Sequence, residues 1–228
     1  MKDDFVYDLP SPFEREFKIG VAIHYNKKQD QMHCGIAFVE QDTQQIIHLA
    51  THNCLTIDTN LNGFQCIVKP SLPNIVQESF VALCLAIKDD INKGNSQVPY
   101  GFLYDDYAII EEDGKLALTE KEIGLTCATY VLTFFHSCGF NLVDISSWPV
   151  RDEDKPWYEG IVNLFIKYQD RLGISSDHLS RLREQMNVPR FRPEKVAVSS
   201  ALFDEGPAET QLIWEKGRNL KDYMISID

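Results

Sequence analysis

The sequence predicts an α+β protein: an antiparallel sheet packed on one buried helix, with a helical C-terminal extension. Three observations predict it. Alternating apolar runs cluster in the first seventy positions, helical periods recur after position 150, and one strongly apolar helical stretch, 124–139, stands between the two regimes. The chain has 228 residues, 44% hydrophobic and 25% charged, which suits one domain with decoration or one and a half domains.

Residues 1–17 are polar, broken by proline, and read as an extended lead-in. Strands are expected over 18–25, 32–40, 45–50 and 64–68, with the polar 41–44 short enough to close a hairpin between the second and third. A helix is expected over 73–92, opened by Pro73 in its first turn and ended by Gly94. Residues 95–119 are polar and aromatic and read as an irregular connection with a short strand at 107–110. Their aromatic residues either line a cleft or anchor the loop to the core. In 124–139, Ala128, Val131, Leu132 and Phe135 fall at helical spacing, Thr126 can cap the start, and Gly139 stands where a left-handed C-cap belongs. Helical patterns follow over 156–172, 177–186 and 193–203, within an extension spanning 151–228. Arg181, Arg183, Arg190 and Arg192 make a local basic cluster there, read as a solvated face that balances nearby acids.

The chemistry centres on Cys127. At the first turn of a helix the N–H groups are unpaired and the dipole is positive, and both favour a thiolate. Cysteine is also a common core residue, and Cys84, in the apolar run 80–87, is of that kind. Cys138 sits at the opposite, negative end of the same helix. Two histidines lie in strand patterns. Alternation puts His33 on one face with Gly35, Ala37 and Val39, and His48 on one face with Ile46 and Ala50. If 32–40 and 45–50 pair, the two imidazoles can share a face, although a one-residue slip of register would turn one away. Each histidine alone reads better as a satisfied core residue. Together with a helix-opening cysteine they supply what a thiol hydrolase needs, a base for the thiol proton and a third group to orient that base.

Net charge is −12 and the isoelectric point near 4.9, which argues against binding nucleic acid or an anionic membrane through general electrostatics. The acidic N-terminus has no apolar signal region, and no apolar run reaches membrane-spanning length. The six cysteines are scattered rather than framed as a disulfide scaffold. The expectation is a reducing cytoplasm, with export by a route that reads no N-terminal signal left open.

His33-x-Gly35-Ile36 on one strand, a polar residue at His48 on the next, the Val98-Pro99-Tyr100-Gly101 connection, and Cys127 opening a helix that ends in Cys138-Gly139-Phe140 together resemble a family. It is the circularly permuted branch of the NlpC-type papain-like fold, which includes lecithin retinol acyltransferase and bacterial papain-like amidases. In that branch the His-bearing strand precedes the Cys-bearing helix. The resemblance covers about residues 18–145, within an expected catalytic domain of 18–150. It implies Cys127 as nucleophile, His33 as base, His48 as the orienting third residue and Tyr100 as a substrate contact. It further implies cleavage of an amide or ester through a thioester, with transfer of the acyl group left open, on a peptide or acyl-bearing substrate and without cofactor. Two features depart from the pattern: Cys34 follows His33 where an aliphatic residue is usual, and nothing in the family matches the helical extension.

Two other readings use the same residues. His48 and His52, four apart, would share a face as metal ligands only on a helix, whereas they follow a strand pattern. A binding module could also keep the fold without the chemistry, against which the retained cysteine and histidines speak. Oligomeric state is left open.

Overall fold

The computed structural model describes residues 2–9, 17–59, 61, 63–119 and 123–227, so residues 1 and 10–16 of the expected lead-in lie outside the described residues. Val6–Asp8 (β1), Ile19–Asn26 (β2), Gln31–Glu40 (β3), Thr43–Thr51 (β4), Cys54–Asp58 (β5) and Cys66–Val68 (β6) form one antiparallel sheet in the order β1-β6-β2-β3-β4-β5. The four expected strands are present, within three residues at each end. The β3–β4 hairpin is tighter than the expected four-residue connection. Glu40 pairs with Thr43, leaving Gln41 and Asp42 as a two-residue loop with φ of 47° and 63°, the pair of left-handed residues whose twist suits a hairpin.

Two strands of this sheet were not anticipated. β1 falls in the lead-in yet pairs with β6 from Val6↔Val68 to Asp8↔Cys66. β5 pairs with β4 at the far edge, Ile46 opposite Asp58. Both are short, so local alternation signals them poorly, and pairing with a formed neighbour stabilises them.

The helices are Asn74–Asn92 (α1), Cys127–Ser137 (α2), Lys155–Lys167 (α3), Gln169–Leu172 (α4), Ser176–Glu184 (α5), Pro193–Leu202 (α6) and Thr210–Ile227 (α7). Ile109–Ile110 (β7) and Leu116–Ala117 (β8) form a separate small ladder. The single helix expected over 156–172 divides at Tyr168, whose φ of −113° breaks the helical path. α7 was not anticipated. It buries Ile213, Gly217, Leu220 and Met224 on one face, and Gly217 fits because an added Cβ would lie 2.7 Å from Lys195 Cγ on α6.

One sheet face carries the main core, in which Ile19, Val21, Ile23, Ile36, Phe38 and Ile47 pack with Phe80 of α1, Phe134 and Phe135 of α2, and Val196 of α6. The other face is covered more thinly, by Phe17 and Phe64 over Ala22, Ala37, Ile46 and Ile67. α3 and α5 build a third cluster with Phe102 and Ile123. α6 belongs to the main core: every residue from Pro193 to Ser200 is buried, and the helix meets β2, β3, β6, α2 and α7. Its Ser199 and Ser200 hydroxyls donate to the Val196 and Ala197 carbonyls, which removes the cost of burying them.

The arginines expected on a solvated face are partly otherwise placed. Arg190 and Arg192 converge on Asp154, which is 2% exposed, at 3.1 and 2.8 Å, under the rings of Trp157 and Trp214. A buried carboxylate must be paired, and these two guanidinium groups are what pairs it. Among the described residues no helix is long and apolar enough to cross a membrane.

Candidate functional site

The site forms where β3 and β4 come apart. Their ladder runs from Glu40↔Thr43 to Ile36↔Ile47, and beyond it lie His33 to Gly35 on one strand and His48 onward on the other. Gly35 lets the strands stay close at this point. A Cβ there would come within 2.7 Å of His48 Cβ and 2.8 Å of the Ile47 carbonyl oxygen. Across the gap His33 Nε2 and His48 Nδ1 are 2.8 Å apart, and His48 Nε2 is 3.0 Å from Asp58 Oδ2. The register therefore turns both histidines to one face.

The hydrogen-bond pattern assigns the protons. A carboxylate only accepts, so His48 Nε2 carries a hydrogen and donates it to Asp58, leaving Nδ1 to accept the His33 Nε2–H. His33 Nδ1 is then left for the thiol. Phe64 lies across both imidazoles with ring centroids 5.9 and 5.4 Å away, which screens the chain of hydrogen bonds from water on that side.

Cys127 is the first residue of α2, as the sequence predicts. The Thr126 side chain accepts the Thr129 N–H at 3.1 Å while Thr129 Oγ1 accepts the Thr126 N–H at 2.7 Å, a capping box that fixes the helix start. The other end closes as expected, with Gly139 at φ 87° and the Phe140 N–H donating to the Phe135 carbonyl. A hydrogen bond from the Cys34 side chain and then the charge and hydrogen bond of His33 hold the Cys127 thiol well below its ordinary pKa, against the opposing effect of burial. Burial is the largest influence on His33 and works against its charged form, yet the charge and hydrogen bond of Cys127 and the charge of Asp58 together outweigh it, and the His33 pKa is raised. The pair is poised as thiolate and imidazolium. For His48 burial comes first, then the His33 charge, and its pKa is lowered, which suits a neutral acceptor.

Tyr100 reaches the same place through two tight backbone crossings. Leu125 N–H donates to the Pro99 carbonyl at 2.9 Å, and Gly101 N–H to the Leu125 carbonyl at 3.3 Å. A Cβ on Gly101 would sit 2.5 Å from the Gly124 carbonyl oxygen, so only glycine permits this approach. His52 Nδ1 accepts the Tyr100 N–H at 3.2 Å, and His178 Nε2 donates to the Tyr100 carbonyl at 2.8 Å. Burial and then His178 push the His52 pKa down to about 4. His48 and His52 thus face different partners and do not converge as one pair of ligands.

Cys127, His33, His48 and Tyr100 all line one cleft of about 350 Å³. Trp157, Ile161, Leu164 and Phe165 of α3 form an apolar wall, and Asn26, Gln29 and Gln31 a polar rim. The structure thus brings together every residue the sequence singled out for chemistry. Three parts of the site were missed. Asp58 lies on the unanticipated β5, where the alternation of Leu55 and Ile57 is too short a run to mark a strand by itself. Cys34 was noted only as a departure, yet strand alternation turns it from the His33 face toward α2. The α3 wall has no local signal, because amphipathic spacing shows a buried face without naming what it covers.

Comparison of the chain with protein-family models, with curated proteins and with solved structures finds no match.

Proposed function

We propose that this protein is a papain-like cysteine hydrolase that cleaves an amide or ester through a thioester at Cys127. The observation that carries the reading is the continuous series Cys127, His33, His48 and Asp58, opening into a cleft at a helix N-terminus. The Cys127 thiolate would attack the substrate carbonyl carbon, forming a C–S bond. The Cys127 N–H, which has no intrahelical partner at the first helical position, faces the oxyanion that develops. His33 then gives its Nδ1 proton to the departing nitrogen or oxygen as the C–N or C–O bond breaks. In the second step water gives a proton back to His33 as its oxygen attacks the thioester carbon; the C–O bond forms, the C–S bond breaks, and the acid leaves with the Cys127 thiolate restored. A different acceptor in place of water would make the same site a transferase.

His48 and Asp58 serve as positioning residues. The His33 Nε2–H is fixed by His48, and His48 by Asp58, so the ring presents Nδ1 to the sulfur through both steps. The apolar wall of α3 and the amide-rich rim suit an acyl group with an apolar body and a polar amide or ester. The acidic protein disfavours an anionic polymer.

The test is a panel of fluorogenic amide, ester and thioester substrates with wild type and Cys127→Ala. The substrate that is turned over should lose roughly a thousandfold or more in kcat/KM in the variant. Equal turnover by the two proteins would remove the catalytic reading.

A further inference from the structure

Cys34 exchanges no bond or proton in the hydrolytic steps; it helps hold the Cys127 thiolate and is placed beside it. It is fully buried on the strand face turned toward α2, in the same core into which the start of α2 packs. The start of α2 packs on β3 in that core, and Cys34 is the neighbour with the largest influence on the Cys127 thiol, so the two side chains are neighbours. The two thiols differ in every property that governs oxidation. Cys127 is partly exposed at the cleft, so a small solute reaches it, whereas Cys34 is buried and does not line the cleft. None of Cys54, Cys66, Cys84 and Cys138 lines the cleft. A reactive, accessible thiolate beside a shielded second thiol is the arrangement of a peroxidatic and a resolving cysteine.

We propose that Cys34 and Cys127 form a reversible disulfide when the protein meets a hydroperoxide, and that this bond shields the nucleophile from irreversible oxidation. The steps balance. The Cys127 thiolate attacks one oxygen of ROOH; an S–O bond forms, the O–O bond breaks, and the alkoxide takes the proton of the His33 imidazolium to leave as ROH. The Cys34 sulfur then attacks the Cys127 sulfur; the S–S bond forms, the S–O bond breaks, and hydroxide leaves with the Cys34 proton as water. Two thiols lose two electrons, which reduce the peroxide to alcohol and water. The second step is fast because the partners are already in contact, so the sulfenic acid is captured before a second peroxide arrives. Dithiothreitol would return both thiols.

The readout is chemical and needs no substrate, so it stands apart from the hydrolase reading. The folded protein is treated with hydrogen peroxide, quenched with iodoacetamide, digested without reductant and mapped by mass spectrometry. The expected product is a cross-linked peptide pair carrying Cys34 and Cys127, 2 Da lighter than the reduced pair, that dithiothreitol converts back to two alkylatable thiols. In Cys34→Ser and Cys34→Ala the same dose should leave Cys127 32 Da heavier as the sulfinic acid, with no recovery in dithiothreitol. Either variant that folds suffices, and the wild-type map decides alone if neither does. Wild-type Cys127 that becomes sulfinic acid with Cys34 still free, that links to another cysteine, or that survives the peroxide unmodified would overturn the proposal.

Discussion

The poise of Cys127 makes a prediction that can be checked before any substrate is known. An ordinary thiol, with a pKa of about 8.5, falls from about a quarter thiolate at pH 8 to about 0.3% at pH 6, so its alkylation slows roughly 75-fold. In the folded protein the hydrogen bond from Cys34 and the charge and hydrogen bond from His33 hold the Cys127 pKa well down. The anion therefore persists further as pH falls from 8 to 6, and its iodoacetamide labelling should fall far less than the roughly 75-fold of an ordinary thiol. The slope is the diagnostic, because a low-pKa thiolate is intrinsically less nucleophilic and its absolute rate is only modestly raised. The assay is peptide mapping of alkylation against time at several pH values, with the urea-unfolded chain as reference. Cys66 and Cys138, with pKa values pushed up to about 12 by burial, should label late in the folded protein, together with the fully buried Cys34 and Cys84. Each donor to the thiolate is of the kind worth about 1.5–3 kcal/mol, so His33→Ala or Cys34→Ala should each raise the midpoint of the profile by about one to two pH units. A folded-state profile for Cys127 that falls in parallel with the unfolded reference would refute the thiolate–imidazolium pair.

Other perturbations test the supporting structure. In Gly35→Ala the new methyl meets His48 Cβ and the Ile47 carbonyl, so the strands must part; stability should drop by about 1–3 kcal/mol in urea denaturation and the shallow labelling profile should be lost, an outcome refuted by unchanged midpoints and slopes. Asp58→Asn removes the charge that fixes His48, but the Asp58 side chain is 42% exposed and solvent screens it, so the loss should be about 1 kcal/mol, near fivefold in kcat/KM with KM little changed; no loss would free Asp58 from the positioning role. His52 has a folded pKa of about 4, lower than when unfolded, so its contribution to stability is full above about pH 6.5 and is lost as pH falls toward 4. Between pH 7 and 4.5 that loss is about 2.5 kcal/mol, and His52→Gln, which can still accept the Tyr100 N–H, should lack it; equal pH dependence of the urea midpoints would rule this out.

Most of the local structure was legible because its causes are local. Thr126 caps α2, Gly139 ends it, and the apolar period between them makes it a buried helix, so the position of Cys127 at the helix head follows from fourteen consecutive residues. Pro73 and Gly94 bound α1 in the same way. Strand alternation likewise put His33 and His48 on definite faces of their own strands.

What alternation leaves open is the partner, because a period of two determines a face and says nothing of which residue stands opposite. The two-residue turn at Gln41 and Asp42 and the glycine at position 35 decided that His33 and His48 meet at 2.8 Å. Asp58 joined them only through the edge pairing of β5, a strand too short to be stable alone. Cys34 became the neighbour of Cys127 through the packing of α2 on the sheet, and Arg190 and Arg192 left the solvent because a buried Asp154, 36 and 38 residues earlier in the chain, required a counter-charge. The sequence by itself determined which residues could do chemistry and on which element each sits. Only the tertiary structure decided which of them touch, since register, edge pairing and charge burial are settled by contacts between distant segments and not by the segments themselves.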